Sequence, residues 1–225
     1  MPARNSIKIY ADNSYYHIYN RGVEKRLIFL DSQDYGVFLS YLKEYLTLKN
    51  EKELNERLSN PNTSYKEKDK ILKLLRMNNF YGEITLLAYC LMPNHFHLIL
   101  KESSGHSISE LMLSLQTSYS KAINKRTHRV GHLFQGTFKD KCIGKTEYLV
   151  HLSRYIHLNP TLAGLVDLPE DWEFSSYRDY IGLRQGTLVE KETILSEFDD
   201  AGSYRKFVMD YQDALNIQDL ILEED

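Results

Sequence analysis

The sequence has no apolar run near the ~18–20 residues that a helical bilayer span requires. Its opening, MPARNSIKIYADNS, lacks the apolar core of a secretory signal. Cysteine is scarce: Cys90 and Cys142 stand alone, and neither sits in a CxxC spacing. The expectation is a cytoplasmic protein with two reduced thiols and no membrane partner. No internal repeat is visible. Positive charge is not in excess either. The net charge of −3 over 225 residues argues, taken whole, against a nucleic-acid partner. Its distribution argues otherwise: residues 1–83 net +3, residues 84–166 net +5, and residues 167–225 net −11. A basic body with an acidic tail fits a surface that meets phosphates and a tail that does not. Apolar content of 42% and charged content of 26% are ordinary for a globular chain, and the length suffices for one domain with appendages.

What is present centres on residues 86–100, LLAYCLMPNHFHLIL. Two apolar strand-like runs flank Pro93-Asn94. Side chains alternate along a strand, so His95 and His97 project from one face, beside apolar Phe96, Leu98 and Leu100. Two imidazoles so placed suit one metal ion, but a pair is short of the three or more ligands a metal needs, and structural histidines remain an alternative.

Along the chain, residues 15–19 (YYHIY) read as a strand, followed by a turn at Asn20-Arg21-Gly22. A helix over 32–48, capped by Asp31 or Ser32, buries Tyr35, Phe38, Leu39, Leu42, Tyr45 and Leu46. Residues 49–79 are charged and broken at Asn60-Pro61-Asn62; they read as an insertion, partly helical over 66–77. Residues 80–87 and 95–100 give strand material. A second helix over 107–125 carries an apolar stripe and a Ser107–Glu110 capping box, and its end is strongly basic. Residues 131–143 read as a strand or hairpin with a bulge at Gly136. A third helix over 145–157 ends near Asn159-Pro160. Two short helical patterns follow, over 194–198 and 204–215. This order predicts an α+β, ferredoxin-like antiparallel sheet with helices packed on it, segregated to one face. The expected organisation is a catalytic domain over 1–182, with the charged insertion at about 49–79, and an acidic, helical C-terminal extension over 183–225.

Tyr155 and Asn159 lie four apart on the third helix and so share a face. An amide oxygen is a reasonable third ligand beside two imidazoles. A phenol (pKa ~10) needs activation, and a nearby cation favours the phenolate. With 17 tyrosines in the chain, no single one is marked out by physics alone.

These residues carry a resemblance. HFH after Met92-Pro93-Asn94, GHLFQGTFKDK at 131–141, RYIHLNPTLAGLV at 154–166, Trp172 and Ser175-Ser176-Tyr177 resemble the single-tyrosine HUH transposases (insertion sequence 200-like), most of all their REP-associated tyrosine transposase branch. YYHIYNRGVEKRLIF at 15–29 and Asp31-Ser32-Gln33-Asp34-Tyr35 resemble the family's first strand and helix. The resemblance covers about residues 14–48 and 80–182. It implies that His95 and His97, with Asn159 where relatives often carry Gln, ligate Mg2+ or Mn2+. It implies Tyr155 as nucleophile, with Tyr148 as the fallback. The implied activity is metal-dependent cleavage and joining of single-stranded DNA near hairpins through a covalent 5′-phosphotyrosine, as in transposition or mobilisation of REP-type elements. The partner would be single-stranded or hairpin DNA, and the protein a monomer or homodimer.

Lys121, Lys125, Arg126, Arg129, Lys139, Lys141 and Lys145 flank the site in sequence and are candidates for phosphate contacts. His132, Phe134 and Gln135 are candidates for base contacts, Phe134 equally for the core. Two other classes stand beside this reading. One is a catalytically silent single-strand binder on the same scaffold. The other is a hydrolase using HxH as a metal motif, although the chain lacks the strand–helix repeat of the large barrel hydrolases. The −11 tail suggests an acidic cover over the basic groove.

Overall fold

The computed structural model describes residue 8 and residues 10–103 and 107–210. Its frame is a four-stranded antiparallel sheet in the order β2-β3-β1-β4, from β1 (Ser14–Arg21), β2 (Ile84–Met92), β3 (His95–Glu102) and β4 (Lys139–Ile143). Between β1 and β2 run α1 (Ser32–Leu46), α2 (Glu51–Ser59) and α3 (Tyr65–Arg76); α4 (Ser107–Thr127) joins β3 to β4. After β4 come α5 (Thr146–Leu162) and three short helices, α6 (Tyr177–Tyr180), α7 (Glu192–Leu195) and α8 (Ala201–Met209). This is the expected ferredoxin-like arrangement. No helix among the described residues is long and apolar enough to cross a membrane.

Helices cover both faces, not one. Phe96, Leu98 and Leu100 join α1 and α4 in one core, built on Phe38, Leu42, Leu111, Leu115 and Tyr119. Ile99 joins α5 in a second core on the other face, with Leu149, Leu152, Ile156, Tyr177, Ile194, Tyr204 and Val208. The two-residue alternation of β3 therefore feeds two cores, and its histidines belong to the α5 side.

A bulge in β2 makes the two faces fit. Register against β3 shifts between Leu86 and Ala88. Before it, Ile84 and Leu86 point to the α1/α4 core; after it, Tyr89 and Leu91 do, while Ala88, Cys90 and Met92 turn to α5. One extra residue in a strand exchanges its faces in this way. The outer edge of β2 is covered: Leu91 N donates to Phe174 O at 2.9 Å, Ser176 N to Tyr89 O at 2.9 Å and Glu190 N to Leu86 O at 2.8 Å. The other edge, β4, is short and carries exposed Lys139 and Lys141, a pattern that discourages strand addition.

Local signals explain the helix ends. Asp31, not Ser32, caps α1, accepting from the Gln33 and Asp34 N–H groups. Asn50, Ser64 and Asp200 cap α2, α3 and α8 in the same manner. The expected Ser107–Glu110 box is replaced: Ser107 Oγ donates to the Glu83 carboxylate, and the Ile108 N–H donates to Glu102 Oε2 at 2.9 Å. Helix α5 runs through Pro160 to Leu162, past the expected end. The pattern over 204–215 forms as α8 to Met209; residues 211–215 lie outside the described residues.

Candidate functional site

The site lies where β3 leaves its turn and passes beneath α5. His95 pairs across with Arg21 and Met92, and His97 with Tyr19 and Cys90. The two imidazoles sit 5.0 Å apart, centroid to centroid, nearly perpendicular. From α5, the Tyr155 ring meets His97 edge-on at 5.8 Å. One turn later, Asn159 Nδ2 lies 3.5 Å from His97 Nε2. The shared face expected of Tyr155 and Asn159 is thus the face that meets His97. Tyr155 is only 6% exposed and Asn159 8%.

Other nitrogens of the pair are tied down. His95 Nδ1 is 2.7 Å from Asn94 Oδ1, which puts its proton on Nδ1 and its lone pair on Nε2. His97 Nδ1 is 2.9 Å from His17 Nε2, on the neighbouring strand. His17 is fully buried, stacked at 5.1 Å on His97 and at 4.8 Å on Tyr19. Its Nδ1 has no hydrogen-bond partner among the described residues. An orphaned buried polar atom costs about 1–3 kcal/mol. Burial, then Lys141, pushes the His17 pKa down to about 3. Burial, then His95 and His17, holds that of His97 well below the ordinary value. Both rings are therefore neutral near pH 7, the form that binds metals.

Whether these groups fit a divalent ion follows from the donors. No group of three or more His, Cys, Asp or Glu among the described residues is placed to hold a metal. In the structure the Asn159 amide nitrogen faces His97; with the amide turned, its oxygen and two imidazole nitrogens would make a partial shell, with the remaining positions left to water or phosphate oxygens. Such a set fits an ion that must keep positions open for a substrate.

The basic candidates divide into two groups. Lys139 and Lys141 pair across from Tyr19 and His17, so their side chains share the α5 face. Their ammonium groups stand 5.8 Å from the Tyr19 ring and 5.9 Å from the Tyr148 ring. Lys145 precedes α5 and is exposed. Lys121 and Lys125 are exposed on α4, across the sheet. Arg126 is engaged with Asp31 at 2.7 Å and Asp34 at 2.6 Å, bolting the end of α4 to the start of α1. Arg129 is half-buried just past α4, its N–H donating to Asn124 O at 2.9 Å. Tyr148 lies two turns before Tyr155, half-buried beside Lys141. Phe134 is buried in the α1/α4 core, whereas His132 and Gln135 are exposed, Gln135 Oε1 accepting from Arg21 Nε at 2.6 Å.

Helix α5 is braced on its far side by α8. His157 Nδ1 meets Tyr204 OH at 2.7 Å, and its Nε2 meets Ser176 Oγ at 2.8 Å. Ser153 Oγ reaches the same tyrosine hydroxyl at 3.0 Å. Arg154, 1% exposed, stacks 4.3 Å from the Phe207 ring and donates to the Phe207 and Asp210 carbonyls, each at 3.4 Å.

Sequence reasoning passed over His17. It sits in an aromatic strand between Tyr15 and Tyr19, and its partner is 80 positions away, so no local signal singles it out.

Comparison with known proteins bears on the whole arrangement. The family model described as "Transposase IS200 like" matches residues 60–159, a span that contains His95, His97, Tyr155 and Asn159. A putative REP-associated tyrosine transposase of Haemophilus influenzae is 24% identical over 101 residues, 40% of this chain. The match spans 57% of that relative's length. A solved REP-associated tyrosine transposase, bound to a REP hairpin, shares the fold with a TM-score of 0.54 at 16% identity, over 84% of this chain and 95% of that one. The resemblance seen in the motifs is thus borne out.

Proposed function

We propose that this chain, similar to the IS200-like transposases over residues 60–159, is a metal-dependent enzyme that cleaves and rejoins single-stranded DNA near hairpins. The observation that carries the reading is the meeting of Tyr155 and Asn159, from one face of α5, with His97.

In this reading the Tyr155 phenolate oxygen attacks a DNA phosphorus. The P–O3′ bond breaks, the 3′ oxygen leaves and takes up a proton, and a 5′-phosphotyrosine ester remains. Attack by a 3′-OH on that ester reverses the step or joins a new end, so no nucleotide triphosphate is consumed. His95, His97 and Asn159 would hold Mg2+ or Mn2+, which supplies charge stabilisation at the phosphoryl oxygens and favours the phenolate. Lys139 and Lys141, on the same face, would take backbone phosphates. Tyr155 meets His97 of its own chain, and in this reading it acts in cis.

Incubation with labelled hairpin-flanked single strands and Mn2+ or Mg2+, followed by a denaturing gel, tests this. The expected result is a protein–DNA adduct that Tyr155→Phe abolishes and Tyr148→Phe retains. Loss in Tyr148→Phe alone would move the nucleophile two turns back. The 6% exposure of Tyr155 favours a second reading, a silent binder, because a DNA phosphate has little room to reach it. Salt-sensitive binding with no adduct would establish that reading.

A further inference from the structure

We infer that His17 is a positioning residue: it accepts the Nδ1 proton of His97 and so turns the Nε2 lone pair of His97 toward Asn159 and the metal position. The inference rests on the metal-site reading above and deepens it.

The geometry allows two arrangements. In one, His97 Nδ1–H donates to His17 Nε2, and His97 Nε2 carries a lone pair beside Asn159. In the other, His17 Nε2–H donates to His97 Nδ1, and His97 presents an N–H to the site. Only the first can ligate a cation. Metal-bound histidines commonly have their second nitrogen fixed by an outer partner, which sets the tautomer and the ring orientation.

A structural role explains His17 poorly. Among the described residues its side chain has one polar partner, His97, its other nitrogen is buried without one, and its flanks are ring stacks that Phe would reproduce. For packing alone, an apolar ring at this position would avoid the orphaned nitrogen. His17 is not assigned as a metal ligand itself, since its Nε2 is engaged with His97.

The test uses the whole chain with 15N-labelled histidine. Long-range 1H–15N spectra identify the protonated nitrogen of each ring without any metal. Wild type should show His97 protonated at Nδ1. In His17→Phe that state should shift toward Nε2–H, the form free histidine prefers. Mn2+ affinity, read from the EPR signal of free Mn2+, should fall about 10–100-fold. His17→Gln, whose amide oxygen can accept, should recover most of both. A wild-type His97 protonated at Nε2 overturns the inference, whatever the variants do. So does a His17→Phe protein that binds Mn2+ as wild type does. Absence of both Mn2+ binding and adduct in wild type, with the Nδ1 tautomer intact, would instead sink the metal-site reading.

Discussion

Arg126 shows how a residue's neighbours decide what its charge is for. It bridges Asp31 and Asp34, and the Asp34 side chain is fully buried. Breaking such a pair strands a buried carboxylate, at about 3–5 kcal/mol for a fully buried case. Arg126→Ala should therefore lower the urea midpoint, by less than a fully buried pair would, because Arg126 is itself partly exposed. Lys141→Ala should do the reverse: leave stability within about 0.5 kcal/mol and, if Lys141 contacts one phosphate, flatten the log–log salt dependence of single-strand binding by about 0.7. An unchanged slope would remove Lys141 from the phosphate contacts. The sequence marks both as basic residues near the motifs and cannot separate them, because Arg126's carboxylate partners lie more than 90 positions away. His95 and His97, by contrast, are legible from alternation alone, since each neighbour in β3 is apolar. Gly22 is a case of close approach: a methyl there would overlap the Arg26 carbonyl oxygen, beside the 2.8 Å bond from Gly22 N to Asn94 O.

Helix α5 is the element on which the site depends. Its burial from Leu149 to Pro160 is nearly continuous, because β2 and β3 cover one side and α8 the other. A stripe at helical spacing therefore identifies the helix but not its second partner. The bulge in β2 escapes detection for a related reason: a run buried on both faces has no alternation whose reversal could be seen. The brace of α5 makes stability pH-dependent. Burial, then Arg184, pushes the His157 pKa down to about 3. Between there and about 6.5 the unfolded chain binds the extra proton, so stability rises with pH. It is complete above about 6.5 and lost progressively as pH falls toward 3. His17 contributes in the same direction. Moving from pH 7.5 to 5.5 should cost about 2–3 kcal/mol across the two groups, at about 1.4 kcal/mol per unit each. Urea midpoints at the two pH values measure this in a window above most carboxylate titrations. A flat profile would mean that these histidines are not held neutral.

At the scale of the molecule, the two cores on one sheet divide the labour. The α1/α4 side is scaffold, and the α5 side carries the candidate chemistry. Within residues 183–210, Leu188 and Val189 pack against the α1/α4 core, and the rest of the buried side chains join the α5 core. Ile194, Tyr204 and Val208 are fully buried in the α5 core, and Arg184 ties Asp179 to Ser175 O and to the Tyr89 hydroxyl of β2. An acidic cover over the basic groove would thus have to come from parts of the segment that do not already fill this core. Removing residues 183–225 would forfeit three buried side chains, about 1.5–3 kcal/mol each, against a typical total of 5–15. Such a truncation should lose cooperative unfolding. A circular dichroism melt checks this, and a cooperative melt for the truncated chain would show that the α5 core stands without α8. The overall order of strands and helices was readable because each long element has its own period. The partition between faces was not, because it depends on which long-range packing partner each apolar stripe meets.

The brace between α5 and α8 also has a consequence in time. Ser153, Arg154 and His157 find their partners 47 to 56 positions later in the chain. At a synthesis rate of about 5–20 residues per second, the tyrosine helix leaves the ribosome several seconds before the groups that hold its back. During that interval the sheet and the histidine pair can assemble, but the helix facing them lacks its latch. Completion of the candidate site therefore waits on the synthesis of α8.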